Sequence, residues 1–273
     1  MGHYPYMTLR LHNIARCLTA ITALALVTLA FAHPEDDFCS PGDDSIDPAL
    51  CAALAELNSS EGKKTKSVVP SVLDESGNER SIVATAVLYV SIGIRHIVPD
   101  GYDHILFVLA IFLASVRFRD LLVQVSAFTV AHTVTLALAA SGVITPSPAV
   151  VEPLIALTIG FVAVENLFFK NMTPWRPAVV FAFGLIHGMG FAGFFGELGL
   201  PPGQFWSALV SFNVGVEIGQ LIVIVAASAL GLALRHALND PTGTRQYRRF
   251  VVLPGSALIG VIGFWWAVER IIP

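Results

Sequence analysis

From residue 82 onward the chain is a run of apolar blocks, at about 82–97, 102–116, 121–141, 150–169, 177–195, 205–234 and 250–268, separated by short polar links. Blocks of this size approach the length of a helix that crosses the hydrocarbon of a bilayer, roughly 30 Å at about 1.5 Å per residue. In hydrocarbon every backbone N–H and C=O must be bonded inside the protein, which an α-helix achieves within one segment. The expected fold is therefore an all-α polytopic membrane protein. Charged residues make up 13% of the 273, about half the share of a soluble domain. No basic, aromatic-interleaved stretch points to nucleic acid. The expected surroundings are lipid.

The links set an orientation. Arg117 and Arg119 lie in one, Lys170 and Arg176 in the next but one, and Arg235, Arg245, Arg248 and Arg249 in a third. The alternate links, "SGVITPSPAV" and "GELGLPPGQF", hold no Lys or Arg. The positive-inside rule puts the basic links in the cytoplasm and the C-terminus outside it. The expected location is the cytoplasmic (inner) membrane.

Residues 1–32 read as a signal peptide. Arg10 and Arg16 precede the apolar "CLTAITALALVTLAF", and small residues end it at Ala32. The segment 33–81 is polar and acidic, with eleven acids against four bases, a short helix predicted at "DPALCAALAEL" and a flexible linker after it. It is expected outside the cytoplasm, where Cys39 and Cys51 are suited to a disulfide. A mature N-terminal His33 offers copper an amine and a ring. The membrane domain is then 82–273. An extracytoplasmic residue 81 conflicts with two full crossings by 82–116. The expectation is that 82–97 lies along or dips into the membrane and that "VPDG" turns the chain into the first true span. That gives about six transmembrane helices plus one partial or interfacial helix. A break of this kind is tolerated where the freed backbone lines protein or a wet cavity.

Ionisable groups inside spans cost free energy and need a partner or a purpose. They are His96, Asp100, Asp103, His104, His132, Glu152 after a Pro-rich outer link, Glu165, His187 and Glu217. On a helix starting near Asp100, residues 100, 103 and 104 share a face, so Asp103 and His104 are expected to approach one ion together. Imidazole and carboxylate suit Ni, Co, Zn, Cu or Fe better than Mg or Ca. His132 and His187 lie mid-span, each four residues after a Phe. Asn213, Glu217 and Gln220 form one helical stripe, with Gly215 and Gly219 on a different side. The expected metal set is His96, Asp103, His104, His132, His187 and Glu217, supported by Asp100, Asn213, Gln220 and Glu165. The competing reading of each is a structural hydrogen bond. Trp265 and Trp266 read as a boundary belt.

Taken in order, "HIVPDGYDHILFVLA", "FTVAHTVTL", "VEPLIALTI", "FGLIHGMGFA" and "FNVGVEIGQL" resemble the HupE/UreJ family, above all its second, broader branch, over about residues 90–225. The resemblance implies a nickel- or cobalt-type uptake protein working beside metalloenzymes such as hydrogenase and urease. It also implies that Asp103 and His104 match the family's Asp-His pair and His96 the His before it. The family's nickel members have a tighter His-to-Asp-His spacing and lack the acidic segment, so the fold transfers further than the identity of the metal.

The leading expectation is a permease for a divalent transition metal, nickel or cobalt first, with zinc or copper as alternatives. Ligand histidines must be neutral, so uptake should fall as pH drops through the histidine range. The alternatives are a zinc-dependent intramembrane hydrolase and a membrane scaffold of a metalloenzyme system. The expected partners are the lipid bilayer, the metal ion, and a second copy or a metalloenzyme-maturation protein. No nucleotide-binding loop occurs, so ATP would have to come from a partner.

Overall fold

The computed structural model describes residues 80–115, 117–169, 172–191, 203–238 and 245–272. The expected signal peptide, nearly all of the acidic segment with its short helix, the Cys39–Cys51 bridge and His33 lie outside the described residues. Among the described residues the chain forms seven α-helices and no strand. They are α1 (Ile82–Ile97), α2 (Tyr102–Ala114), α3 (Phe118–Ala140), α4 (Pro148–Phe168), α5 (Arg176–Gly190), α6 (Phe205–Ala237) and α7 (Leu253–Ile271), the last preceded by a π-helical turn at Arg248–Val252.

α3, α4, α6 and the continuous Arg248–Ile271 are each long and apolar enough to cross a membrane. α1 and α2 pass that test only together, as one element bent by 69°. The count is therefore four, or five with the bent pair. α5 has 15 described residues and does not reach it alone. The expected six crossings are thus not reached by length and composition, whereas the all-helical membrane class is.

The bend falls at the "VPDG" break, and its causes are local. α1 opens at Ser81, whose Oγ accepts a hydrogen bond from the Ala84 N–H at 3.2 Å, the usual service of an N-cap serine. It closes when the Val98 N–H reaches the Ile94 carbonyl at 2.8 Å. Pro99 has no N–H to continue the ladder, and the Val98–Pro99 peptide is cis. Gly101 then lies hard against the His96 carbonyl, where a Cβ would overlap it. So the last turn of α1 and the first turn of α2 face each other at close range.

Three helix pairs pack most tightly: α1 with α6, α3 with α5, and α4 with α7. Small residues permit this, because lipid supplies no hydrophobic drive between helices and close backbone approach must. A Cβ at Gly93 would strike the Phe212 carbonyl, and one at Gly215 the Val90 carbonyl, so α1 and α6 meet backbone to backbone. The short α2 lies among the pairs and touches α1, α3, α4, α6 and α7. Its Phe107, Val108 and Ala110 are fully buried. His104 is buried with them.

Candidate metal centre

Four histidines from four helices meet beside the bend. His96 ends α1, His104 begins α2, His132 lies in α3 and His187 in α5. The His104 ring is the hub, with centroids 4.7 Å from His96, 5.9 Å from His132 and 5.1 Å from His187. One ring nitrogen from each of His96, His104 and His132 lies within 4.8 Å of the others. All four rings are buried, His132 completely.

At His132 and His187 the hydrogen bonds fix which nitrogen is free. Asn213 Nδ2 donates to the Leu209 carbonyl at 2.8 Å, so its Oδ1 accepts. His132 Nδ1 lies 3.1 Å from that oxygen and must carry the proton. His132 Nε2 is left with a lone pair. The same logic holds at His187. Thr158 Oγ1 donates its one proton to the Ile155 carbonyl at 2.6 Å, and therefore accepts from His187 Nε2 at 2.9 Å. His187 Nδ1 is the lone-pair nitrogen. Among the described residues His96 Nε2, His104 Nε2, His132 Nε2 and His187 Nδ1 are buried without a hydrogen-bond partner. Buried polar atoms are nearly always satisfied, so four orphans in one cluster call for a ligand. Imidazoles whose other nitrogen is fixed by an oxygen are the usual form of a metal-binding histidine.

Phenylalanines wall the cluster. Phe191 is 4.0 Å from His96, Phe128 5.0 Å from His187 and nearly parallel to His132 at 5.9 Å, and Phe212 5.4 Å from His96. They exclude water and hold the rings. The Phe-before-His spacing of "FTVAHTVTL" pointed to Phe128 alone. Thr158 and Arg270 carried no such signal.

The carboxylates expected at the ion sit elsewhere. Asp103 does not face the imidazoles with His104. Its carboxylate is bound by Arg270 Nη2, at 3.0 Å to Oδ2 and 3.3 Å to Oδ1. The helix begins at Tyr102. Asp100 is therefore outside it, and consecutive residues 103 and 104 point about 100° apart. Asp100 lies 3.8 Å from Arg95.

Glu217 is also outside the converging group. Its Oε1 accepts from Ser126 Oγ at 2.7 Å, and its Oε2 contacts Thr129 Oγ1. Gln220 Oε1 lies 3.1 Å from the same Thr129 hydroxyl. The stripe Asn213, Glu217, Gln220 thus faces α3 throughout, while Gly215 and Gly219 face α1. Glu217 is one helical turn along α6 from Asn213, the partner of His132. Glu165 lies on α4. It pairs with Arg176 at 3.2 Å and accepts from Thr173 at 2.9 Å.

A helical membrane protein with a dry imidazole cluster at a broken helix is the class that fold and site define. The chain matches the family described as HupE / UreJ protein over residues 74–270, most of its length, and belongs to that family. The family is one of transporters and accessory proteins associated with metal transport, not one of known enzymes. No curated protein and no solved structure matches the chain.

Proposed function

We propose that this protein is a permease that moves a divalent transition metal, nickel or cobalt, inward across the cytoplasmic membrane. The observation that carries the proposal is the convergence of His96, His104 and His132, each with a partnerless buried nitrogen. Imidazole nitrogens suit nickel, cobalt, zinc and copper, and discriminate against magnesium and calcium. Membership of a metal-transport family agrees with this.

The basic links support a cytoplasmic start for α3 and an outer start for α6. His132 is 14 residues along α3 and Asn213 is 8 along α6. On that orientation the histidines occupy the outer half of the bilayer, reached past the bent α1–α2 element. In this reading there are six crossings, α5 included, with α1 a partial segment on the outer side. The acidic segment 33–81 and the C-terminus are outside, behind a signal peptide at 1–32. An ion leaving the histidines inward next meets Glu217 among its hydroxyl partners. Site occupancy must be weak enough for release.

Cells expressing the full chain in a chelated medium are expected to accumulate nickel or cobalt above a vector control, and His132→Ala to abolish the excess. Accumulation no higher than the control would sink the proposal. Asn213→Leu is a gentler probe. It removes the oxygen that holds the His132 tautomer and should weaken metal binding by about 10–100-fold. The count of ions bound at saturation should not change, which equilibrium dialysis of the purified protein checks.

A further inference from the structure

The converging ligand set is all nitrogen and brings no negative charge. A divalent ion held by neutral imidazoles in a dry bundle keeps its full charge uncompensated, which is costly away from water. The carboxylate nearest along the chain is Asp103, one residue from His104. Both of its oxygens are taken by Arg270 Nη2. Arg270 has other support: its Nη1 donates to the Glu152 carbonyl at 3.2 Å, and its guanidinium lies 5.6 Å from the Trp266 ring. Loss of Asp103 would therefore not leave the guanidinium stranded. The two side chains are 18% and 15% exposed, so this pair is open enough to exchange. The Arg176–Glu165 pair, at 2% and 4%, is sealed.

Resting on the reading of the histidines as a metal site, we infer that Arg270 is a tethered competitor for the transported ion. It neutralises Asp103 until a divalent cation on the histidines draws that carboxylate over as counter-charge and ligand. Arg270 then falls back on Glu152 and Trp266. The exchange keeps affinity moderate, as a site that must release its cargo requires.

The test is titration of Co2+ into the purified full chain in detergent, read by visible absorption and equilibrium dialysis. Arg270→Gln removes the competitor and should bind Co2+ about tenfold tighter, the low end of what close charge pairs contribute. Arg270→Lys keeps the charge and should stay near wild type. Adding Asp103→Asn to Arg270→Gln should erase the gain, because the gain is the freed carboxylate. A merely structural arginine would give weaker or equal binding, and either result in Arg270→Gln overturns the inference. So does a gain that persists without Asp103. If Arg270→Gln is not recovered folded, the wild-type chain supplies a second readout. Saturating Zn2+ should shift the emission of Trp266, and the shift should vanish in Trp266→Phe and in Asp103→Asn; unchanged emission overturns the inference. A wild-type chain that takes up no Co2+ at all overturns the metal-site reading beneath it, which is a separable result.

Discussion

His104→Ala is expected to strip the protein of bound metal while leaving the metal-free fold intact. His104 is the hub of the cluster, in ring contact with His96, His132 and His187. Residues that only orient a ligand are worth about 10–100-fold in metal affinity, so removing a ligand should cost more than about 100-fold. The metal-free protein should hardly notice. Truncation opens a cavity, but it also removes a buried nitrogen that has no partner, and the two effects oppose each other at about 1–3 kcal/mol. Two measurements separate these terms. Metal content after dialysis should fall from near one ion per chain to background. The wild type should also gain thermal stability when metal is added, about 2.7 kcal/mol at a hundredfold excess over Kd, and the variant should gain none. Equal loading of both proteins would remove the histidines from the mechanism.

Arg176→Met should be the most destabilising of these changes. Arg176 is 2% exposed; its Nη1 donates to Asn166 Oδ1 at 3.1 Å and forms an ion pair with Glu165 Oε2 at 3.2 Å. Asn166 in turn donates to the Ala110 carbonyl of α2 at 2.8 Å, and its own carbonyl accepts from Arg248 at 3.1 Å. The cluster therefore ties α2, α4, α5 and the start of the last helix together. Removing the arginine leaves the Glu165 carboxylate buried without its counter-charge, a loss of about 3–5 kcal/mol. The double change Glu165→Leu with Arg176→Met removes both charges and should recover most of that loss, since a buried pair replaced by apolar groups is often near neutral. Thermal unfolding in detergent reads both. A single variant as stable as wild type, or a double no better than the single, would contradict the assignment. Metal bound per folded molecule should not change, because neither residue belongs to the converging ligand group.

These two clusters differ in how far they could be read beforehand. His96, His104, His132 and His187 were each expected as ligands, because an imidazole in an apolar block is rare and the Pro-Gly break beside two of them is visible locally. The partners that set their tautomers differ: Asn213 was on the expected stripe, but Thr158 looked like any threonine in a helix. Glu165 was expected to support the metal, and its real partner Arg176 looked like an ordinary basic residue at a helix start. Asp103 was expected at the ion beside His104, yet consecutive helical residues point about 100° apart, and its carboxylate meets Arg270. The helix begins at Tyr102, which leaves Asp100 outside it.

Helix formation and membrane residence followed from the chain alone, since apolar length and the need to satisfy backbone groups act on contiguous residues. The bend at "VPDG" was equally local, because Pro99 and Gly101 act on their immediate neighbours. Which charges meet was decided only by the folded bundle. Asp103 and His104 are adjacent, yet one turns to Arg270, 167 residues away, and the other to imidazoles on three other helices. Rotation of a helix about its axis is set by how its small residues seat against neighbours, and no stretch of sequence carries that angle by itself.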